Sequence, residues 1–290
     1  MKSKFWSLTI IVGIYIVAFA AAAGAVVLLS PYISNVILLL FLGDVAATIV
    51  VFIFGAIFRN ASVYDPYWSV VPPVLIVGYY MMSGAAFDPA HLFIIFPVCF
   101  WAVRLTYNWA RGFANLKWQD WRYTGFKQKF PRIYPLICFS GIMLMPTFLV
   151  FFGMIPFYVL ITGSPNIWLC IVGGAVIMLA ALYQTIADAQ LRIFRKNPDN
   201  KGQVIDTGLW RYSRHPNYFG EILIWWGVLL ASLPNLSWLS PIGAVLITCL
   251  FFFISVRLIE KHLQKGRPAY ADYKKIVRSS IIPFKRRKAE

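Results

Sequence analysis

The chain consists of long apolar runs separated by short polar segments. A helix needs about 20 apolar residues to cross the ~30 Å hydrocarbon core of a bilayer, and most of the runs reach that length. The pattern predicts an all-α bundle of about eight transmembrane helices. The seventh run is the shortest, and Pro216 suits the first position of its helix. The predicted helices cover residues 5–29, 36–58, 68–87, 91–110, 134–162, 166–190, 217–233 and 238–259.

The amino-acid composition also indicates a membrane protein. Hydrophobic residues make up 60% and charged residues 13% of the 290 positions, and the mean hydropathy is +0.68. A soluble domain of this size could not bury so much apolar surface. We therefore expect a single membrane domain over residues 1–290. The first run follows Lys2 and Lys4 and exceeds the length of a signal-peptide h-region, so we predict a retained anchor.

Positive charge is concentrated in alternate loops. The chain holds 27 Lys and Arg against 11 Asp and Glu, a formal net charge of +16. Little chain is left for a basic soluble domain, so we expect no nucleic-acid partner and attribute the charge to the positive-inside rule. Both termini are basic too, which predicts cytoplasmic termini in a bacterial inner membrane. The basic loop residues are Arg59; Arg111, Lys117, Arg122, Lys127, Lys129 and Arg132; and Arg192, Arg195, Lys196, Lys201, Arg211 and Arg214.

The sequence offers no set of metal ligands. Its four cysteines lie far apart inside apolar runs, no C-x-x-C pair occurs, and His91 and His262 stand alone. We predict buried cysteines and no metal site. No G-x-G-x-x-G or G-x-x-x-x-G-K-[ST] motif occurs, which excludes a Rossmann domain as the source of nucleotide binding.

Basic and aromatic residues alternate in the loop over residues 111–133, RGFANLKWQDWRYTGFKQKFPRI. This pattern favours an interfacial segment whose Trp and Tyr side chains lie at the level of the lipid headgroups. The alternative is a segment that contacts the substrate.

Polar residues continue along one face of the sixth predicted helix. Gln184, Asp188, Arg192 and Arg195 are spaced by 4, 4 and 3 residues, which places them on one face as the helix leaves the membrane. The structural interpretation is a set of ion pairs between Asp188 and the two arginines. The functional interpretation is an anion site that opens to the cytoplasm.

The segment 206–221, DTGLWRYSRHPNYFGE, is the densest polar stretch of the chain. Arg211 and Arg214 offer forked donors suited to phosphate, and a helix that begins at Pro216 presents free N–H groups to an anion. Asn217 and Glu221 lie one turn apart, and Glu221 would be buried and need a partner. Capping and snorkelling are the structural alternative. The density of donors and acceptors, with His215 among them, favours a cofactor site.

Three stretches resemble one protein family. KNPDNKGQVIDTGLWRYSRHPNYFGE is similar to the signature of the steroid 5α-reductase-like membrane proteins, in particular their bacterial branch of unknown function (DUF1295-like). WAVRLTYNWARGFANLKWQDWRYTGF and EKHLQKGRPAYADYKKIVRSSIIPF resemble further parts of it. The resemblance covers about residues 60–284. It implies a helical membrane enzyme that reduces an activated carbon–carbon double bond with NADPH, in an apolar steroid- or isoprenoid-like substrate.

The resemblance also implies where the cofactor lies. In the family the C-terminal helices form a cavity that faces the cytoplasm, which corresponds here to residues 184–284. Matched residue by residue, the family's cofactor contacts fall on Asp188, Arg192, Arg195, Asn217, Tyr218, Glu221, Arg257 and His262. With Arg211, Arg214 and His215 from the pattern above, these residues form the predicted cofactor site.

Reduction of an enone needs an acid near the carbonyl oxygen, where negative charge develops. Asp65 lies beside Tyr67 and Trp68, and a carboxyl group among aromatic side chains stays protonated more readily. The alternative is that Asp65 only initiates a turn before Pro66.

The resemblance bears on this acid as well. The steroid reductases have a glutamate and a tyrosine in the active site. The glutamate's region offers Asp65, whereas the tyrosine's counterpart is Trp101, before Arg104, and Tyr107 lies one to two turns further on. We predict Asp65, Tyr67 and Tyr107 as catalytic residues. Arg104 either snorkels or pairs with Asp65.

A second family shares part of the pattern. RHPNY with a distal glutamate and a Y–Y––IP tail is similar to the isoprenylcysteine carboxyl methyltransferases, which use S-adenosylmethionine. Those proteins have a Glu-Glu pair where this chain has Glu260 and Lys261. A third possibility is a lipid-binding relative without enzymatic activity. We expect a monomer whose partners are membrane lipids and an apolar, lipid-like substrate.

Overall fold

Helices account for all of the long apolar runs. The structure is a computed structural model that describes residues 2–285, in which we distinguish ten helices and no β-strand. The helices are α1 Lys2–Leu29, α2 Val36–Ile57, α3 Tyr67–Ser83, α4 Leu92–Gly112, α5 Trp121–Lys129, α6 Tyr134–Thr162, α7 Ile167–Lys196, α8 Pro216–Ala231, α9 Ser240–Gly266 and α10 Tyr270–Ile276. Helices α6 and α9 each include a π-helical stretch, at Cys138–Leu144 and Leu250–Ser255.

Six of these helices are long and apolar enough to cross a membrane: α1, α2, α4, α6, α7 and α9. The predicted number of eight spans is therefore confirmed for six. The other two, α3 and α8, have 17 and 16 residues, or roughly 26 and 24 Å at 1.5 Å per residue. Helix α3 ends before the predicted residue 87 because Gly84 adopts a left-handed conformation, with φ of 63°. The protein is an all-helical, polytopic membrane protein.

Several helices begin at residues that satisfy free backbone N–H groups. The Asn35 side chain accepts a hydrogen bond from Leu38 N at the start of α2, and Asn166 does the same for Trp168 N and Leu169 N at the start of α7. Helix α8 begins at Pro216, as predicted.

The connections between helices fall at two ends of the bundle. The basic end carries residues 58–66, 113–133 and 197–215 and the segment after α9, and it holds the loop arginines and lysines. The opposite end carries residues 30–35, 84–91, 163–166 and 232–239, which contain one charged residue, Asp88.

Small residues allow the central helices to approach closely. Helix α7 packs along α8 and against α4. A Cβ at Gly174 would overlap the carbonyl oxygen of Phe93 on α4, and a Cβ at Gly220 would lie 2.8 Å from the carbonyl oxygen of Ala180 on α7. Close backbone approach at small residues is typical of helix packing in membranes.

Large apolar side chains cover the outward faces of the bundle. Val27 is 70% exposed, Phe96 and Leu179 are each 66% exposed, and Ile53 is 49% exposed. A soluble protein rarely exposes so much continuous apolar surface, whereas lipid would cover it.

Substituting Gly174 by Ala should destabilise the protein by about 1–3 kcal/mol, because the new Cβ has no room beside the backbone of α4. Gly13→Ala in α1 is the matched control, since no atom lies within 4 Å of its added Cβ and alanine favours a helix. Thermal unfolding of the detergent-purified variants measures both effects. Equal melting temperatures for the two variants would contradict the proposed close approach of α4 and α7.

Candidate active site

The Glu221 carboxylate lies where four helices meet. It is 4% exposed, and it accepts hydrogen bonds from Trp68 Nε1 at 2.7 Å, Trp101 Nε1 at 3.1 Å and Gln184 Nε2 at 2.6 Å. These donors belong to α3, α4 and α7, whereas Glu221 is on α8. All three donors are neutral, and within residues 2–285 no ion pair to Glu221 occurs. Its charge is therefore solvated by N–H groups and balanced by no direct cation.

A second carboxylate, that of Asp188, is connected to Glu221 through Arg104 and Gln184. The Arg104 Nη1 and Nη2 atoms donate to Asp188 Oδ2 at 3.0 and 3.1 Å, and Nη2 also donates to Gln184 Oε1 at 3.0 Å. Asn108 and Asn217 each donate a further hydrogen bond to Asp188, at 3.2 and 3.3 Å. Because Arg104 holds the oxygen of the Gln184 amide, the amide nitrogen faces Glu221.

Two pairings that the sequence left open do not form in the structure. Asp188 pairs with Arg104 on α4 rather than with Arg192 or Arg195 on its own helix, and Arg104 does not pair with Asp65. The reason is that α4 crosses α7 at the level of Asp188. Arg195, two turns nearer the basic end, is exposed, and Arg192 is half-buried.

The site forms two layers, one helical turn apart. Trp101, Gln184 and Glu221 make the deeper layer, and Arg104, Asp188 and Asn217 make the layer nearer the basic end. Each helix contributes residues three or four positions apart, the spacing that places side chains on one helix face. The three formal charges sum to −1, with Arg104 positive and Asp188 and Glu221 negative.

The segment 113–133 packs onto the basic end of the bundle. The Asn60 side chain donates to the carbonyl oxygens of Leu116 and Trp118 at 2.7 and 2.8 Å, and the Trp121 ring stacks on His262 with ring centroids 3.9 Å apart. The segment therefore does more than lie at a lipid interface, because it contacts His262, which was predicted to bind a cofactor.

Asp65 pairs with a residue of this segment. Tyr123 donates its hydroxyl to Asp65 Oδ1 at 2.8 Å. Burial raises the pKa of Asp65 from 3.8 to about 6, although the Tyr123 hydrogen bond lowers it. The backbone from Asp65 through Pro66 is helical, so Asp65 lies one turn from Trp68 and on the same face.

Tyr67 is turned away from this pair. Its side chain is fully buried, and its hydroxyl donates to Asp44 Oδ1 at 2.5 Å, inside α2. Neighbouring residues on a helix point about 100° apart, so Tyr67 cannot share the direction of Trp68. Tyr64 and Thr147 extend this separate polar cluster with a hydrogen bond of 2.7 Å.

Tyr107 lies on the outer surface of α4. It is 60% exposed and lies under the Arg111 guanidinium group, 5.3 Å from ring centroid to Cζ. Six residues separate it from Trp101, a rotation of roughly 240° around the helix. The structure therefore does not bring Asp65, Tyr67 and Tyr107 together, and their catalytic roles stay predictions.

Arg214 fastens the C-terminal segment to the bundle. Its Nε lies 2.7 Å from Glu260 Oε1, and its Nη1 donates to the carbonyl oxygens of Val277 and Arg278 at 2.7 and 2.5 Å. Lys274 completes the cluster, 2.8 Å from Glu260 Oε2. The predicted phosphate contact of Arg214 stays a prediction, and the contacts that the structure gives it are to the protein.

His215 also lies against this cluster. Its Nε2 is 3.4 Å from Glu260 Oε1, and its ring stacks on Tyr218 at a centroid distance of 5.2 Å. Burial lowers the pKa of His215 more than Glu260 raises it, which favours a neutral ring at pH 7.

The other predicted cofactor residues surround a small cavity at the basic end or lie on its surface. The cavity holds about 80 Å³ and is lined by Arg195, His215, Asn217, Tyr218 and Arg267, among others. Arg211, Arg257 and His262 are exposed. Ligand pockets usually measure about 300–1,000 Å³. A dinucleotide would therefore fit here only if the residues around the cavity moved apart.

Several residues of the site were missed from the sequence. Tyr123 looked like an interfacial aromatic and Trp68 like a neighbour of Asp65, and only the fold shows that their O–H and N–H groups donate to Asp65 and Glu221. Asp44, in the separate cluster around Tyr67, was also missed, although an acid inside an apolar span is costly and therefore informative.

Comparison with known proteins identifies the family of this chain. The family model described as "Protein of unknown function (DUF1295)" matches residues 51–277. The chain belongs to the DUF1295 family. No solved structure shows a significant match to it.

Three curated relatives extend the comparison of this DUF1295 protein. It is 25% identical to the Uncharacterized protein C594.04c of Schizosaccharomyces pombe, over 84% of this chain and 77% of that protein. It is 34% identical to Delta(14)-sterol reductase TM7SF2 of Mus musculus and 35% identical to 3-oxo-5-alpha-steroid 4-dehydrogenase 1 of Homo sapiens. Those two matches cover 34% and 39% of this chain, and 26% and 41% of the relatives.

Comparing Glu221→Gln with Arg104→Gln tests which carboxylate the arginine balances. Glu221→Gln should cost about 1–3 kcal/mol, because one of three N–H donors loses its acceptor. Arg104→Gln should cost about 3–5 kcal/mol, because it leaves Asp188 buried without its cation. Unfolding of both variants in detergent measures the difference. A larger loss for Glu221→Gln would show that Glu221 is the carboxylate that depends on Arg104.

Asp65 should make the stability of the protein depend on pH. Since its pKa is about 6 in the folded state and 3.8 unfolded, the protonated carboxyl favours the folded state. This contribution is complete below pH 4 and disappears as the pH rises through 6, a loss of about 2–3 kcal/mol. Melting temperatures from pH 4 to 7 should show the decline in the wild type and not in Asp65→Asn. The control Asp199→Asn changes an exposed acid and should keep the wild-type profile.

Proposed function

We propose that this DUF1295 protein is a membrane-embedded reductase that transfers hydride from NADPH to an activated carbon–carbon double bond in an apolar substrate. The observation that carries the proposal is the buried Glu221 carboxylate with three neutral donors and no direct cation. The names of the mouse and human relatives, a sterol reductase and a steroid dehydrogenase, support the same class of reaction.

The charge of the site suits this chemistry. When bound, NADPH supplies a hydride, and its nicotinamide ring gains one positive charge as the hydride leaves. Arg104, Asp188 and Glu221 carry a net charge of −1 in a poorly hydrated place, where a nearby positive charge is stabilised more than in water. The Arg104 Nε atom is also buried without a partner, which leaves one donor for a ligand.

The residues between the basic end and Glu221 contact different parts of the cofactor in this proposal. Arg195 and Arg267 line the cavity at the basic end and are placed to meet phosphate groups, while Asn217 and Tyr218 lie between them and Glu221. We place this end in the cytoplasm, where NADPH is found, because the loop arginines and lysines concentrate there.

The Asp65–Tyr123 pair is the proton source in this proposal. Hydride adds to one carbon of the double bond, and a proton must reach the other carbon or the conjugated oxygen. Burial raises the pKa of Asp65 to about 6, so this carboxyl holds a proton at higher pH than an exposed one does, and Tyr123 holds it in place. The apolar faces of the surrounding helices allow the substrate to enter from lipid.

A methyltransferase that uses S-adenosylmethionine is the second candidate. The same unbalanced Glu221 carboxylate would complement a sulfonium group, which also carries a delocalised positive charge. Binding measurements separate the two candidates, since each cofactor should stabilise only its own enzyme.

NADPH at 100 times its dissociation constant should stabilise the detergent-purified protein by about 2.7 kcal/mol, and S-adenosylmethionine should not. Glu221→Gln should weaken NADP⁺ relative to NADPH by about tenfold, because only the oxidised ring is positive. Asp199→Asn, an exposed acid at the same end, should leave that ratio unchanged. Stabilisation by S-adenosylmethionine alone would favour the methyltransferase, and stabilisation by neither compound would overturn both proposals.

A further inference from the structure

A second cavity lies at the opposite end of the bundle. Its volume is about 420 Å³, within the usual range for ligand sites. It lies between the ends of α3 and α6 and the start of α4. Along α4, ten residues separate His91 from Trp101, roughly 15 Å at 1.5 Å per residue, so this cavity is distinct from the candidate active site. Its lining includes Ser83, Phe87, Asp88, His91, Thr162 and Pro165.

His91 presents an unused hydrogen-bonding atom in this wall. The residue is 1% exposed, its Nδ1 lies 2.6 Å from the Tyr80 hydroxyl, and its Nε2 is buried with no protein partner. Buried polar atoms rarely stay unpaired, because each costs about 1–3 kcal/mol. The Tyr80 hydroxyl can donate to Nδ1, which leaves Nε2 as an N–H donor toward a ligand.

Asp88 supplies the charge of the cavity. Its Oδ1 accepts a hydrogen bond from Ala90 N at 2.7 Å and so caps the turn before α4. Its Oδ2 makes no hydrogen bond to any described residue. In a chain of net charge +16, Asp88 is the one charged residue in the four connecting segments of this end. The cavity therefore favours a cation.

The wall around residues 163–165 is held in place independently of any ligand. Asn235 accepts from Ser164 N at 3.1 Å and donates to Ser164 O at 2.9 Å. An added Cβ at Gly163 would collide with the Asn235 side chain, so the loop from α6 and the turn after α8 are closely packed. This part of the cavity is preformed.

We propose that the cavity binds a phosphorylated primary amine, the headgroup of an aminophospholipid. The ammonium group meets Asp88, and the phosphate accepts hydrogen bonds from His91 Nε2 and from the Ser83 hydroxyl. The Thr162 hydroxyl donates to the carbonyl oxygen of Tyr158 and only borders the cavity. Ser83 and Thr162 are the last residues of α3 and α6, at the level where lipid headgroups lie. Phe87 provides an apolar edge for the glycerol and the first acyl carbons.

Headgroup titrations on delipidated protein in detergent test the proposal. The probes are dioleoyl-phosphatidylethanolamine, dioleoyl-phosphatidylglycerol with the same acyl chains, and soluble O-phosphoethanolamine, each followed by the melting temperature. The ethanolamine lipid should bind at least tenfold more tightly than the glycerol lipid, because only it carries the ammonium group. Similar affinity for soluble O-phosphoethanolamine would support the chemistry and assign it to a soluble source.

Asp88→Asn is the decisive variant. Asparagine keeps an oxygen that caps Ala90 N, so the variant should fold and melt like the wild type without lipid. It should lose the tenfold preference for the ethanolamine lipid. The matched control Asp272→Asn removes an exposed acid at the other end and should keep the preference. Equal affinity of the wild type for the two lipids, or an unchanged preference in Asp88→Asn, would overturn the proposal whatever the outcome of the NADPH measurements.

Discussion

A buried carboxylate that no cation touches organises this protein. An ion at membrane depth costs several kcal/mol unless polar groups replace its water, and Glu221 meets that requirement with three N–H donors. The donors come from α3, α4 and α7, so moving any one of these helices would expose the charge of Glu221 to apolar surroundings. The relative positions of four helices thus depend on one side chain of α8.

Gln184 couples this carboxylate to the other one. Arg104 binds the oxygen of its amide, which turns the amide nitrogen toward Glu221, and the same guanidinium group balances Asp188. An amide can bridge in this way only if α7 and α8 are very close. The missing side chain of Gly220 provides that closeness, because a Cβ there would lie 2.9 Å from Gln184 Cγ.

The densest polar motif of the chain serves two purposes in the fold. Arg214 and Ser213 hold the C-terminal segment, the first through the carbonyl oxygens of Val277 and Arg278 and the second through those of Ser280 and Ile281. Asn217 and Glu221, on the next turns, face the candidate active site. The first part of this motif therefore holds the C-terminal segment, and the second part lines the candidate site, with the boundary near His215.

The helical membrane class followed from the sequence, since runs of apolar residues have few other solutions. The sequence also predicted Asp188, Asn217 and Glu221 as site residues, and the fold brings these three into one hydrogen-bonded cluster, while their role in binding a cofactor stays a prediction. Hydropathy overestimated the length of α3, because Gly84 ends this helix earlier than the apolar run does. Only the folded structure shows which side chains bind each other. Arg104 pairs with Asp188, Tyr67 donates a hydrogen bond to Asp44, and Tyr123 donates one to Asp65. Spacing along one helix fixes which side chains share a face, but which helix lies opposite that face depends on packing between residues far apart in the chain.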